Sequence, residues 1–331
     1  MEFLKRQWFL VSLSFILVAG LTLGGSGNAA TVEPLTRWID PRVTTACVLF
    51  LMSVTLDSGA LRAALLAPGA VLLACGMASV VLPLAAWGLM RCQLTPDFAM
   101  GIMITASVPS TLASASVMTR KAGGNDAVSL LTTLATNSLC WLLVPGWLYA
   151  STGREVKLDF TALAWNLVVA ALVPTACGQL ARLLGGVRGF ATRHKVGLSA
   201  AAQILIEVIV FTAALRAGST WHEWRVGGGA TGTPPTVLAT AVLLASVLAL
   251  HLGMLWLGWE AGRLCGRTRM ERIAIAFSGS QKTLPVGLLV AADPASFGVL
   301  FPFAVFPLLL YHIAQLFLDS AIAGRWGTVK E

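Results

Sequence analysis

Apolar residues gather in ten blocks along the chain, each near the roughly 20 residues that carry a helix across hydrocarbon. They cover residues 8–25, 38–56, 66–90, 97–119, 127–150, 160–184, 196–215, 236–259, 270–292 and 296–320. Polar residues collect in short connections between them. The longest connection, Ala217 to Pro235, is rich in Gly, Thr and Pro and carries Trp221 and Trp224, which suit a membrane interface. No polar block marks a second domain, so residues 1–331 are expected to form a single transmembrane unit. The first block, behind Lys5 and Arg6, has some features of a signal peptide, but the topology requires it as a retained helix.

Blocks 8–150 and 160–320 each supply five spans, and in each half the fourth span is interrupted. An odd number of spans gives two such halves opposite orientations in the membrane. Inverted repeats with discontinuous helices in matching places point to a secondary transporter. The pattern therefore predicts an all-α integral membrane fold of ten helices, built as two inverted five-helix repeats, with helices 4 and 9 discontinuous.

Composition agrees with a lipid solvent. Of 331 residues, 56% are apolar or aromatic and only 11% are charged, against roughly 25% in soluble domains. Mean hydropathy is +0.79. The net charge of +8 lacks the basic, aromatic-interleaved footprint of nucleic-acid binding, so basic loops against anionic headgroups are the better reading. With the amino terminus inside, the ten-span topology puts 15 of the 23 Lys and Arg on the cytoplasmic side and 7 on the other, leaving Lys282 within a span. That bias predicts both termini cytoplasmic, as in a bacterial inner or plasma membrane. The six cysteines are scattered without a C-x-x-C pair, which suggests neither a disulfide framework nor a metal site.

The chemistry concentrates at the two interruptions. In the fourth span Pro109 removes a backbone donor, and Thr105, Ser107, Ser110, Thr111, Ser114 and Ser116 can satisfy freed backbone groups or coordinate an ion. The ninth span reads Phe277-Ser-Gly-Ser-Gln-Lys-Thr-Leu-Pro-Val-Gly287 at its centre. Gly279 and Pro285 are expected helix breakers, and Ser280, Gln281 and Lys282 are candidate ligands. A charge at mid-depth costs about 2.5–3.5 kcal/mol on insertion scales, so this segment should face a cavity. Glu207, mid-way along the seventh span, is a charge partner for Lys282, a coupling-proton carrier or a protonated structural carboxylate. Gln203, Asn137, Asn166, His251, His312 and Gln315 read more simply as interhelical hydrogen-bonding groups.

Three stretches carry a resemblance: Leu49-Phe-Leu-Met-Ser-Val-Thr-Leu56, Pro109 to Asn125 with its Arg-Lys-Ala-Gly-Gly-Asn turn, and Gly279-Ser-Gln-Lys-Thr-Leu-Pro-Val-Gly287. Through them nearly the whole chain resembles the bile acid:sodium symporter superfamily, in its SBF-like branch with the member-seven-like solute carriers. The resemblance implies a panel and a core domain, with broken helices crossing in the core beside a substrate cavity. It also implies an ion site behind the crossing, for which Ser114, Ser129, Thr133 and Gln281 occupy matching positions as a weak sodium site. Where sodium-coupled relatives carry Ser-Asn, an acidic residue and a second Asn, this chain has Ser114-Ala115, Phe277 and Lys282. Sodium coupling is therefore doubtful, and a proton is the other candidate.

The expected function is secondary active transport of a small solute with an anionic group, needing no cofactor. A cation/proton antiporter or channel is the near alternative. An intramembrane enzyme is the distant one, because the four histidines form no H-E-x-x-H pair and no triad follows Ser278-Gly279-Ser280.

Overall fold

The computed structural model describes residues 8–27, 36, 38–56, 68–112, 114–152, 158–227, 235–292 and 301–328. The charges Lys5, Arg6, Arg37, Arg62, Arg154, Lys157 and Lys330 lie outside these residues, as do positions 66–67 of the third expected span and 296–300 of the tenth. Among the described residues every regular element is helical. They are α1 (Trp8–Gly25), α2 (Pro41–Thr55), α3 (Pro68–Met90), α4 (Pro96–Ser107), α5 (Ser114–Lys121), α6 (Asp126–Thr152) and α7 (Phe160–Ala181). Then follow α8 (Gly185–Arg193), α9 (Lys195–Arg225), α10 (Val237–Leu264), α11 (Arg269–Ser280), α12 (Leu284–Ala291) and α13 (Val305–Thr328).

Among the described residues, seven stretches are long and apolar enough to cross a membrane: α3, α6, α7, α9, α10, α13 and the α11–α12 pair over Arg269–Ala291. Shorter apolar helices cover Val11–Gly25 and Pro41–Thr55. The protein is thus a multi-pass integral membrane protein. The α11–α12 stretch is buried throughout by protein, whereas the other long spans leave about half or more of their surface for lipid.

Three expected boundaries shift, each for a local reason. α9 runs on to Arg225, so Trp221 and Trp224 lie on its last turns and not in a loop. Their rings approach at 6.4 Å, and Trp221 also packs edge-on against Phe303. The turns are held by packing that the Gly- and Thr-rich composition of the segment does not reveal. The chain between α7 and α9 is not simply a loop, because Gly185–Arg193 forms a short helix. The last span starts late, at Val305. Pro302 disfavours helix at Phe301, and Pro307 fits the first turn, where its missing N–H costs nothing. It also ends late, at Thr328, and that places Asp319 well inside the helix.

The helices pack in two groups. In the first, α9 lies along α1 and α2, and α2 also packs on α7. The backbones of α1 and α9 meet through glycines. A Cβ on Gly24 would fall on the carbonyl of Leu215, and one on Gly218 on the carbonyl of Leu21. Small residues at this spacing let membrane helices approach closely. Gly24→Val should therefore lower stability by about 1–3 kcal/mol, the usual cost of overpacking. It would show as a lower thermal unfolding midpoint in detergent, while Gly253→Val, where a Cβ meets nothing within 4 Å, should leave the midpoint in place.

In the second group α3 packs on α4, α6 and α11, α10 on α11 and α13, and α13 on α4 and α5. Both α3 and α7 contain a π-turn, at Met77–Val81 and Val168–Leu172, followed by Pro83 and Pro174. A proline supplies no N–H to the preceding turn, so carbonyls there are released for other partners.

Candidate functional site

The stretches expected as fourth and ninth spans, 97–119 and 270–292, are each interrupted, and the two interruptions touch. α4 ends at Ser107 and the chain resumes as α5 at Ser114. α11 ends at Ser280 and α12 begins at Leu284, leaving Gln281, Lys282 and Thr283 outside any helix. Thr283 N–H donates to the carbonyl of Pro109 at 2.9 Å, Lys282 Nζ to that of Val108 at 2.8 Å, and Ser114 Oγ to Gln281 Oε1 at 2.7 Å. Pro109 sits in the first interruption itself. Gly279 lies in the last turn of α11, where a Cβ would crowd Met77 of α3 at 2.9 Å. Pro285 opens α12 in its first turn.

Backbone groups freed inside a membrane must find partners within the protein. Here they find side chains from α6 and α13. The carbonyl of Ser110 accepts from Asn137 Nδ2, and its N–H donates to Thr136 Oγ1. The carbonyl of Ser280 accepts from Tyr311 Oη, and Gln315 pairs with both backbone groups of Lys282 at 2.9 Å each. Asn137 and Gln315, which read as helix glue, are the residues that make these breaks affordable.

Lys282 is only 3% exposed, which rules out a side chain reaching the membrane surface. Its ammonium also donates to the carbonyl of Ala78 at 2.6 Å. That carbonyl lies in the π-turn of α3, five residues before Pro83, and the next carbonyl, of Ser79, accepts from Trp147 Nε1. A proline-disturbed turn in α3 thus creates the acceptor that a buried lysine needs. Lys282 also sits beyond the carboxyl end of α4, where the helix dipole is negative. Around it, Thr105, Val108, Tyr311 and His312 help enclose a cavity of about 10 Å³, close to the smallest space that holds one water.

Gln281 reaches the other way. Its Nε2 donates to Asp319 Oδ2 at 2.5 Å, and Asp319 Oδ1 accepts from His251 Nε2 at 2.8 Å. Gln281, Asp319 and His251 are all fully buried. Sequence reasoning passed over Asp319 and counted the acidic residue of this region as missing at Phe277. A buried acidic side chain does stand beside the second break, and α13 supplies it. The legible signal was Tyr311, His312, Gln315 and Asp319, polar positions on one helical face.

A cavity of about 240 Å³ opens between the two helix groups. Its walls include Trp8, Phe9, Met52 and Gln203 on one side and Thr111, Ser114, Thr283 and His312 on the other. A second cavity of about 380 Å³ shares Met52, Val117 and Gln203 with it and continues to Arg120, Asp126 and Lys195. Of the expected ligands, Thr111 and Ser114 line the first cavity, together with Pro285; Ser110, Ser280, Gln281 and Lys282 lie behind its wall. Ser280 Oγ donates to the carbonyl of Phe277.

Ser129 and Thr133 lie on α6 and line neither cavity. Ser129 Oγ pairs with Thr119 at 3.1 Å, and Thr133 Oγ1 donates to Leu130. Neither hydroxyl hydrogen-bonds to Ser114 or Gln281. Nearby, the buried Ser110 Oγ and Asn137 Oδ1 have no hydrogen-bond partner. Glu207 is not brought to Lys282; its carboxylate accepts from Ser12 Oγ of α1 instead.

Comparison with known proteins bears on the whole chain. Residues 7–328 match the model of the SBF-like CPA transporter family. The chain is 31% identical over 328 residues to "Probable sodium/metabolite cotransporter BASS4, chloroplastic" of Oryza sativa subsp. japonica, covering 95% of this chain and 75% of that one. It is 23% identical over 336 residues to "Sodium/bile acid cotransporter 7" of Xenopus tropicalis, covering 97% and 92%. These relatives are transporters, and the chain belongs to the SBF-like CPA transporter family.

Proposed function

We propose that the protein is a secondary active transporter that moves a small organic anion by alternating access. The observation that carries this reading is the hydrogen-bonded meeting of two broken helices beside a cavity walled by two separate helix groups. α5 and α12 both start at that cavity. The amino end of α12 has no side-chain cap, so free backbone donors and a positive dipole end favour an anionic group there. The named relatives carry sodium with a metabolite or a bile acid, which supports a small solute as cargo.

The ten-span, inverted-repeat topology belongs to this proposal, and packing partners support it. Pairing residues 8–150 with 160–320 makes α1–α9 equivalent to α7–α2, and α3–α4 equivalent to α10–α11; all four contacts occur. Both termini would be cytoplasmic, the second cavity with Arg120 and Lys195 would open on that side, and the membrane would be a bacterial inner or plasma membrane.

For coupling, Lys282 supplies at the crossing part of the charge that a bound cation would otherwise supply. Sodium has a possible place at the unpartnered oxygens of Ser110 and Asn137, with Ser129 and Thr133 on the same helix face as Asn137. A proton is the alternative. Proteoliposomes decide: uptake of labelled taurocholate or pyruvate should appear under an imposed sodium or proton gradient. Absence of uptake and of exchange for a broad anion panel under both gradients would sink the reading. A cation/proton antiporter is a second reading, favoured by the buried Asp319 carboxylate beside the second break. It predicts sodium-driven proton flux without any organic solute.

A further inference from the structure

The buried His251–Asp319 pair bonds none of the backbone groups freed at the two breaks, yet it is wired to the cavity. Oδ1 of Asp319 takes the His251 contact at 2.8 Å and Oδ2 the Gln281 contact at 2.5 Å. Gln281 Oε1 in turn receives the hydroxyl of Ser114 at 2.7 Å, and Ser114 lines the cavity. His251 Nδ1 is buried with no partner, and the His251 ring stands edge-on to Tyr311 at 5.4 Å.

We propose that protonation of Asp319 is read out at Ser114 through the Gln281 amide, so that each anion bound in the cavity carries one proton with it. The proposal rests on the transport reading given above.

Hydrogen-bond direction makes the connection. An ionised carboxylate can only accept, so both His251 Nε2 and Gln281 Nε2 must donate to it. The amide orientation is then fixed, and its Oε1 obliges Ser114 to donate inward. Ser114 is left offering lone pairs to the cavity, which is unfavourable to an anion. A proton on Oδ2 makes that oxygen a donor. The amide then turns about its terminal torsion, which has broad, roughly two-fold preferences, and presents Oε1 to Asp319 and Nε2 to Ser114. Ser114 accepts, and its own proton is free to point at an anion or at Thr111 Oγ1, 3.3 Å away. One proton from the cavity side neutralises the carboxylate as one anion binds. Both leave together when the cavity opens to the other side.

Other ionisable groups around this helix hydrogen-bond elsewhere. Tyr311 bonds to Ser280, His312 to Gln315, Lys282 to two carbonyls, Lys121 to Ser320 and Arg269 to Trp326. Asp97 holds the N–H of Phe303 before the start of the helix.

The test uses purified full-length protein in nanodiscs without sodium. Infrared difference spectra between pH 4 and 9 should show a carboxylic acid band that vanishes in Asp319→Asn. Without any ligand, Ser114→Ala should displace the midpoint of that band by about 0.5 pH unit, a three-fold change in proton affinity. Adding taurocholate or pyruvate should move the wild-type midpoint to higher pH. Asp319→Asn, whose amide imitates the protonated pattern, should exchange anion across proteoliposomes but lose uptake driven by a proton gradient. No band assignable to Asp319, or a midpoint indifferent to Ser114→Ala, overturns the proposal; so does proton-driven uptake that survives Asp319→Asn. Failure of the transport reading would look different, as absence of all uptake and exchange in wild type, while the ligand-free titration still decides the switch.

Discussion

Lys282→Met is expected to lower the thermal unfolding midpoint and to abolish uptake. The substitution keeps the length of the side chain and removes its donors. The carbonyls of Ala78 and Val108 are then left unpaired, because Pro83 gives the α3 turn no N–H and α4 has already ended. Each unsatisfied buried group costs about 1–3 kcal/mol, so the loss is roughly 2–6 kcal/mol before the relief of no longer burying a charge. That relief is real, since replacing buried charges by apolar groups is often neutral or better. It offsets less here because the acceptors are main-chain carbonyls that cannot be removed with the lysine. Lys195→Met, exposed at the edge of the second cavity, is the control and should leave stability unchanged. Normal uptake by Lys282→Met or Lys282→Ala would end the idea that this ammonium supplies charge at the crossing.

Much of the frame was legible because lipid imposes it. A block of apolar residues long enough to span hydrocarbon has few alternatives to a helix; Pro109 interrupts such a helix, and Pro285 suits the first turn of a new one. The meeting of Gln281, Lys282 and Ser114 was half-legible, since costly polar residues at mid-depth imply a lined interior. What stayed hidden depended on neighbours. Lys282 needs a carbonyl that only a π-turn releases, and Met77-Ala-Ser-Val-Val81 looks like ordinary apolar helix. Pairing with Lys282 was one of three readings of Glu207, since both are charged and deep, but depth does not fix azimuth, and its carboxylate meets Ser12. Asp319 was missed through a boundary error. With the last span ended at residue 320 an Asp at 319 looks like an interfacial residue, whereas α13 continues to Thr328 and carries it into the core.

Gln281→Leu should be nearly as damaging as the loss of Lys282, for a different reason. Leucine fills similar space but has nothing for Ser114 Oγ or Asp319 Oδ2. Losing a hydrogen bond to a charged group costs about 1.5–3 kcal/mol, and the buried carboxylate would keep only His251. We expect destabilisation of about 2–4 kcal/mol on that scale and loss of coupled uptake. Gln281→Glu separates geometry from charge. It places a second carboxylate against Asp319, and two adjacent carboxyl groups in a dry site hold one proton between them. With that proton shared, one group donates where Gln281 Nε2 did, and the remaining acceptor can still receive Ser114. Raising the pH removes the proton and leaves two like charges with no water to separate them. The folded state binds more protons than the unfolded chain over that range, so stability must fall as pH rises. The thermal midpoint of Gln281→Glu should therefore approach wild type at pH 5 and drop steeply by pH 8, while that of Gln281→Leu stays low throughout. Parallel pH curves for the two variants would mean that a carboxyl at position 281 shares no proton with Asp319.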